Sequence, residues 1–123
     1  ALDMTRDASR SLETLIGLGV DRILTSGLEA TVLEGLQTLK NLIREAGDRI
    51  IIMPGCGISE RNFAFIKEQL GAKEYHVFLP GTHESRMTYR PDYIYMGGML
   101  RQTEFSISCT DRGRVSSIVG AKR

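Results

Sequence analysis

This chain has few of the residues that mark secreted, membrane or nucleic-acid-binding proteins. Among its 123 residues there is no tryptophan, and there are only three prolines, two cysteines and two histidines. Cys56 and Cys109 lie in unrelated contexts with no Cys-x-x-Cys pair, which argues against a disulfide framework and favours a reducing compartment. No apolar run approaches the roughly 18 residues of a membrane span. A net charge of +1 leaves no general footprint for nucleic acid or membranes, so we expect neither as a partner.

What the chain does contain is a repeated pattern typical of an α/β fold. The composition, 41% hydrophobic and 25% charged, is that of an ordinary globular domain. Gly19, Gly47 and Gly71 each follow an amphipathic segment, which predicts three helices that end at these glycines. Asp7 or Ser9 is expected to cap the first of them.

Each of these glycines is followed within a few residues by charged side chains and then by an apolar run. The runs predict strands at 22–24, 50–53 and 74–77, lying side by side and parallel, because helices between them act as crossovers. The fold class predicted is therefore α/β.

The segment after the second predicted strand is the most informative part of the chain. Ile50-Ile51-Ile52-Met53 stops at Pro54, continues through Gly55-Cys56-Gly57 and enters a predicted helix at Ser59. This loop follows the carboxyl end of a parallel strand, which is where α/β proteins place their sites. The glycines can simply permit a tight turn that Ser59 caps, or they can expose backbone N–H groups to a phosphate or another anion.

Several motifs together resemble the CutC copper-homeostasis family, in order and over nearly the whole chain. The segments that carry the resemblance are Ala1-Leu2-Asp3-Met4, Gly19-Val20-Asp21-Arg22-Ile23-Leu24-Thr25-Ser26-Gly27, Leu33-Glu34-Gly35-Leu36, Ile52-Met53-Pro54-Gly55-Cys56-Gly57-Ile58, Glu74-Tyr75-His76 and Met87-Thr88-Tyr89-Arg90. The resemblance implies the C-terminal half of a TIM (β/α)8 barrel, from the end of the fifth strand onward. Residues 1–123 are then expected to form a partial barrel domain whose N-terminal half is absent, with 1–4 as the tail of a strand.

The resemblance also implies copper handling by a homo-oligomeric protein of the cytosol, with the nucleus as a second location left open. The chain departs from the family at two points. Gly55-Cys56-Gly57 stands where the family usually has three consecutive glycines, and His76 is followed by apolar residues instead of small polar ones. The family's proposed copper cysteines lie in the N-terminal half, so no copper ligand carries over to this chain.

Residues at the carboxyl ends of barrel strands converge on one mouth, which groups the candidate site residues of this chain. We expect the mouth to contain Asp3, Thr25, Ser26, Gly55, Cys56, Gly57 and His76. Asp3 and His76 are the candidates for acid and base. The others are candidates for binding a ligand, and Arg86 and Arg90 beside Tyr89 are either a second anion-binding group or a solvated loop.

Copper in a reducing cell is Cu(I), which prefers thiolate and thioether ligands and accepts imidazole. Cys56 and His76 are the first candidates for metal ligands. Met53 and the Met96–Met99 pair are weaker candidates, because methionines commonly fill irregular space in a core. Cys109 is expected to pack before a final helix capped near Asp111, and His83 to be solvated in a loop.

Two functions from different classes follow from these residues. The first is a non-catalytic copper-homeostasis protein that binds or buffers Cu(I). The second is a TIM-barrel enzyme acting on a phosphorylated or otherwise anionic metabolite, with Asp3 and His76 as acid and base beside the glycine turn. No nucleophile, base and orienting residue occur in a recognisable order, so the non-catalytic function is preferred.

Overall fold

A computed structural model of the protein describes residues 2–96 and 103–120. The elements in chain order are a 3₁₀ helix Leu2–Met4, α1 Ala8–Gly17, β1 Arg22–Thr25, α2 Leu36–Ala46, β2 Ile51–Pro54, α3 Phe63–Leu70, β3 Pro80–Glu84, β4 Ser106–Thr110 and α4 Arg112–Gly120. Within these ranges no helix is long and apolar enough to span a membrane.

The first three helices form where the apolar spacing predicts them. The N-cap of α1 is Asp7, whose side chain accepts a hydrogen bond from the backbone N–H of Arg10 at 2.9 Å, so that prediction is confirmed. Helices α2 and α3 end at Gly47 and Gly71, both with positive φ. A glycine there stops a helix at no steric cost.

Strands β1 and β2 are parallel neighbours, and α2 is the crossover between them. The α/β class and the first two predicted strands are therefore confirmed. Residues 23 and 25 of β1 and residues 52 and 54 of β2 are buried, whereas Leu24, on the opposite face, is 46% exposed. One face of this sheet packs against helices and the other is open.

The third predicted strand is wrong, because residues 74–77 form no strand in the structure. His76 donates its backbone N–H to the carbonyl oxygen of Pro54 at 2.9 Å, and Glu74 pairs with Arg22, so the segment runs beside β2. One backbone hydrogen bond to β2 is too few to form the ladder of repeated bonds that defines a strand. The half-barrel architecture itself stays a prediction.

A hairpin follows, and its first strand lies in the segment that was expected to be a loop around His83. Strands β3 and β4 pair antiparallel, with Gly81 opposite Cys109 and His83 opposite Ile107. Cys109 was expected to pack in the interior, and that is wrong, because it lies exposed on β4. His83 is exposed as expected, although on a strand. No residue of β3 or β4 is buried, so neither strand has the buried face that an alternation of apolar and polar residues would mark.

Helix α4 begins after Asp111, as predicted, and the Asp111 side chain accepts the backbone N–H of Arg114 at 2.8 Å. Arg114 also holds both carboxylate oxygens of Glu60, each at 3.0 Å, and donates to the carbonyl oxygen of Pro80 at 2.8 Å. One arginine thus ties α4 to the loop before α3 and to the start of the hairpin.

The core lies between the helices and the buried face of the parallel sheet. Its buried apolar members include Leu12, Ile23, Val32, Leu39, Leu42, Ile52, Phe63, Ile66 and Leu70. Phe63 and Tyr75 meet edge to face, with ring centroids 5.3 Å apart, so residues beyond β2 also pack on α3.

We expect the isolated 123-residue chain to have a free energy of unfolding below about 5 kcal/mol, at the low end for native domains. The reason is the open sheet face around Leu24 and the exposed side chains of Phe78, Met87, Tyr89 and Tyr93. Urea unfolding of a dilute sample, shown to be monomeric by sedimentation, measures it. A sharp transition at high urea would contradict this expectation.

Candidate functional site

The carboxyl ends of β1 and β2 meet at one edge, where most of the candidate residues lie. Thr25 and Pro54 end the two strands in register, and the N–H of Gly55 donates to the carbonyl oxygen of Thr25 at 3.1 Å. His76 is hydrogen-bonded to Pro54 on the other side. The structure therefore brings Thr25, Gly55 and His76 to neighbouring positions along one edge, which the sequence analysis expected.

Asp3 reaches the same edge from a 3₁₀ helix, not from the strand tail that was expected. Its Oδ1 accepts three hydrogen bonds: from the hydroxyl of Thr25 at 2.5 Å, from the N–H of Leu28 at 3.0 Å and from the N–H of Ser26 at 3.2 Å. Because the donors come from the loop that follows β1, the carboxylate fixes the shape of that loop.

The surroundings of Asp3 favour its ionised form. Partial burial raises the pKa of Asp3, but the hydrogen bonds from Thr25, Leu28 and Ser26, with a further contribution from the backbone of Gly27, outweigh burial, and the pKa lies below its usual value. A carboxylate with a lowered pKa and several donors is a weak base near neutral pH. These contacts indicate that Asp3 stabilises the loop after β1.

Thr25 and Ser26 are buried, with 1% and 5% exposure, and their hydroxyls are engaged within the chain. The Thr25 hydroxyl, besides donating to Asp3, accepts the N–H of Gly27 at 3.0 Å. The Ser26 hydroxyl donates to the carbonyl oxygen of Glu29 at 2.6 Å. Both side chains thus hold the loop around Asp3, and their role as ligand-binding residues stays a prediction.

Two glycines allow this loop to close on itself, and the sequence analysis assigned neither a role. Gly27 has φ +81°, and a Cβ placed on it would lie 2.5 Å from the carbonyl oxygen of Gly35. A Cβ on Gly35 would overlap the carbonyl oxygen of Ser26. Only residues without side chains permit this approach of backbone to backbone. The signal in the sequence was the placement of glycine directly after Thr25-Ser26.

The turn after β2 carries the exposed thiol of Cys56. Cys56 has φ +84°, a left-handed conformation that a residue with a side chain seldom adopts. Its carbonyl oxygen accepts the N–H of Val32 at 3.1 Å, and Gly57 packs against Thr31, so the loop after β1 holds this turn. Backbone strain of this kind occurs at functional sites and persists only where neighbouring structure imposes it.

The helix predicted to start at Ser59 starts later, at Phe63. Ser59 donates its N–H to Oδ1 of Asn62 at 2.8 Å, so that N–H is not directed at an anion, and Ser59 does not cap the helix. The positive end of α3 is therefore removed from the Gly55-Cys56-Gly57 turn. This arrangement weakens the phosphate-binding interpretation of the glycine turn.

His76 lies directly against the turn. A Cβ added to Gly55 would lie 3.1 Å from Cβ and 3.4 Å from Nδ1 of His76, and 2.5 Å from Cδ1 of Leu24. The absence of a side chain at Gly55 therefore leaves the space that the imidazole occupies. Gly55 therefore has the imidazole of His76 against it in space and Cys56 next to it in the sequence.

The other candidates are placed in packing or surface roles. Met53 lines an open cleft of about 470 Å³ with Phe63, Tyr75 and Ile118 among its neighbours, and its role stays a prediction. Met96 is 79% exposed, and Met99 lies outside the described residues.

The arginine segment is built from contacts within the chain. Arg90 pairs with Glu84 at 2.8 Å and stacks over Phe105 at 5.3 Å from the ring centroid. It also donates to the carbonyl oxygens of Met87 and Ser85. Tyr89 is exposed, and the second anion-binding group stays a prediction.

No group of three or more histidine, cysteine, aspartate or glutamate side chains clusters within residues 2–96 and 103–120. A metal at the mouth would therefore draw at most two such ligands from this part of the chain. Cu(I) tolerates low coordination numbers and soft ligands, whereas tetrahedral zinc takes four ligands in structural sites.

Comparison with known proteins gives a consistent set of relatives. The model of the CutC family matches residues 1–80. The human copper homeostasis protein cutC homolog is 42% identical over 118 residues, covering 96% of this chain and 43% of the human protein. A CutC family protein of Parabacteroides distasonis is 41% identical over 119 residues, covering 97% of this chain and 49% of its own length.

A crystal structure of CutC from Streptococcus agalactiae superposes with a TM-score of 0.53 at 33% identity, covering 57% of this chain and 34% of that protein. The chain spans about half the length of the curated relatives it matches.

Proposed function

This chain belongs to the CutC family, and we propose on that premise that it serves copper homeostasis by holding Cu(I) at the carboxyl edge of its parallel strands. The relatives that carry the name copper homeostasis protein support the role. The ligands we assign are the thiolate of Cys56 and the imidazole of His76.

The architecture that we propose for the complete protein is a TIM barrel of which this chain is the C-terminal half. Parallel β1 and β2, with residues 74–77 beside them, supply neighbouring positions in such a barrel. The open sheet face around Leu24 corresponds to the barrel interior, which further strands would cover. The mouth of the barrel is then the edge where Cys56 and His76 lie.

The observation that carries the copper assignment is the meeting of His76 and the Cys56 turn at Gly55. A soft thiolate with one imidazole suits Cu(I) better than magnesium or calcium, which prefer oxygen ligands. The left-handed backbone of Cys56 fixes the orientation of a residue whose side chain is exposed. Such a site is open at the surface, which suits exchange of a metal ion between proteins.

The cellular setting that we propose is a reducing one, the cytosol, with the nucleus left open. Cys56 and Cys109 are both free thiols. Free exposed cysteines persist in reducing compartments, and copper there is Cu(I).

The enzyme alternative receives no support from the geometry of Asp3. Acid–base work needs a group that can take up or release a proton, and Asp3 has a lowered pKa and a carboxylate oxygen that accepts three hydrogen bonds. We therefore propose a non-catalytic protein in which Asp3 anchors the loop after β1. A phosphorylated or anionic metabolite as ligand stays an untested alternative.

The chain carries its own matched controls for a test of the copper site. It has two cysteines and two histidines, of which Cys56 and His76 lie at the mouth and Cys109 and His83 on the hairpin. Competition with a Cu(I) chelator, under anaerobic conditions with the 123-residue chain, measures stoichiometry and affinity. We expect one Cu(I) per chain, and we expect Cys56→Ser and His76→Asn each to weaken binding by at least about tenfold.

Cys109→Ser and His83→Asn are the controls, and we expect them to change the affinity by less than about twofold, because both residues lie on the hairpin strands and not in the loops that follow β1 and β2. Equal losses from the mouth and hairpin variants, or losses from the hairpin variants alone, would refute the assignment. Added Cu(I) is also expected to raise the unfolding temperature of the unmodified chain and not that of Cys56→Ser.

A further inference from the structure

We infer that Asp3 is a positioning residue for Cys56, and that it acts through the loop after β1, residues 26–35. The hydrogen bonds of Asp3 are with Thr25 and with the start of this loop, and the far end of the loop holds the Cys56 turn. The inference rests on the proposed function, because that function gives Cys56 a ligand to bind. Its structural part can nevertheless be tested without copper.

Asp3 holds the start of the loop in an unfavourable backbone conformation. Its Oδ1 accepts the N–H of Leu28 at 3.0 Å, and Leu28 has φ +66°. A bulky residue in the left-handed region costs free energy, and this conformation persists only where surrounding groups impose it. The Asp3 carboxylate also binds the N–H of Ser26, two residues earlier. We therefore assign to Asp3 the conformation of Leu28.

The far end of the same loop holds Cys56. Val32 lies four residues after Leu28 and donates its N–H to the carbonyl oxygen of Cys56 at 3.1 Å. A Cβ placed on Gly57 would lie 3.1 Å from Cβ of Thr31. In the part of the chain that the structure describes, Leu28 and Cys56 are the residues other than glycine with positive φ. One loop thus connects the two strained positions.

The direction of the Val32 N–H depends on the loop. That N–H belongs to the rigid peptide unit shared with Thr31, so a rotation before residue 31 redirects it. Val32 has a fully buried side chain, which fixes its Cα but not the peptide unit before it. If Leu28 relaxed to negative φ, the chain would change direction four residues before Val32. The hydrogen bond to Cys56 would then be lost.

The other end of the Cys56 turn has an independent support. Asn62 donates from Nδ2 to the carbonyl oxygen of Gly57 at 2.8 Å, and its Oδ1 accepts the N–H of Ser59 at 2.8 Å. Neither bond involves residues 26–35. Loss of Asp3 is therefore expected to release Cys56 and to leave Ser59 in place. A released Cys56 would have to be ordered when it binds a ligand, which weakens binding.

Amide hydrogen exchange of the 123-residue chain tests this path without copper. In Asp3→Ala we expect the Val32 N–H to exchange at least about tenfold faster relative to the Ser59 N–H. Asp3→Asn keeps an acceptor oxygen, so we expect a smaller change, at least about threefold. It also serves as the second variant in case Asp3→Ala does not fold.

Asp7→Ala is the matched control for exchange. Asp7 also accepts a backbone N–H, that of Arg10 at 2.9 Å, but it caps α1 and not the loop after β1. Its loss destabilises the chain without freeing Leu28, so the ratio of Val32 to Ser59 exchange should not change. An unchanged ratio in both Asp3 variants, or the same change in Asp7→Ala, would overturn the inference.

Cu(I) competition with the same variants gives the functional measurement. We expect Asp3→Ala to weaken Cu(I) binding by at least about fivefold, Asp3→Asn to weaken it less, and Asp7→Ala to stay within about twofold of the parent chain. Equal losses in Asp3→Ala and Asp7→Ala would reduce Asp3 to a general stabiliser and overturn the inference. If the parent chain binds no Cu(I), the proposed function fails, and the exchange ratio alone decides whether Asp3 positions Cys56.

Discussion

Gly35→Ala is expected to destabilise the chain by about 3 kcal/mol, the upper part of the range for overpacking. The new Cβ would overlap the carbonyl oxygen of Ser26 and lie 3.0 Å from Cα of Gly27. Both contacts are with backbone atoms, which cannot rotate away as a side chain would. The loop after β1 would have to open, and its N–H groups would then lose their positions around Asp3.

Gly17→Ala is the matched control, because it adds the same methyl group in open space. No heavy atom lies within 4 Å of a Cβ at Gly17, which is helical and lacks positive φ. Alanine there should stabilise the chain by up to about 1 kcal/mol. Urea unfolding followed by circular dichroism should therefore move in opposite directions for the two variants. A loss below about 1 kcal/mol in Gly35→Ala would show that the two backbone segments are not in contact.

Asp3→Ala is expected to lower the free energy of unfolding by about 2 kcal/mol, since charge-assisted hydrogen bonds are lost and their donors remain partly buried. The donors are the hydroxyl of Thr25 and the N–H groups of Ser26 and Leu28. Asp3→Asn keeps an acceptor oxygen and the same size, so its loss should be about 1 kcal/mol. Equal stability of Asp3→Ala and the parent chain would refute the anchoring role.

The pH dependence of the free energy of unfolding distinguishes the contribution of the negative charge of Asp3 from that of its size and hydrogen-bonding oxygen. Its pKa is lowered in the folded chain, so Asp3 stabilises the fold fully above its unfolded pKa, near 3.9. That contribution is lost as the pH falls below that value and through the folded pKa. Between about pH 6 and pH 3, the parent chain should lose more stability than Asp3→Asn. Urea midpoints across this range measure the difference, and parallel curves would contradict it. The other acidic groups are common to both proteins.

Local patterns in the sequence predicted the helices and the first two strands. The spacing of Leu39, Leu42 and Ala46 along α2 indicates one buried face of one helix, and no other segment is needed to recognise it. Likewise the cap at Asp7 is an interaction within one turn. These features depend on residues a few positions apart, and so a single sequence reveals them.

Errors arose where distant segments decide the structure. Residues 74–77 have strand composition, but only one backbone bond joins them to β2. Residues 80–84 lack strand composition, yet 106–110 pair with them from more than 20 residues away. The start of α3 moved because Asn62 bonds back to Ser59. Each outcome depends on which partner is available, and composition does not record that.

The sequence by itself determined the fold class, the family and the residues that could meet at the carboxyl edge, because strand polarity sends each strand end to the same side. Only the tertiary structure decided what these residues do there. It buried Thr25 and Ser26 against Asp3, because the loop closes through Gly27 and Gly35. It left Cys56 exposed on a turn that packs on the loop after β1, and the backbone bond from His76 to Pro54 put His76 beside Gly55. Contacts between segments distant in the sequence therefore decide which residue anchors a loop, as Asp3 does, and which remain candidate metal ligands, as Cys56 and His76 do.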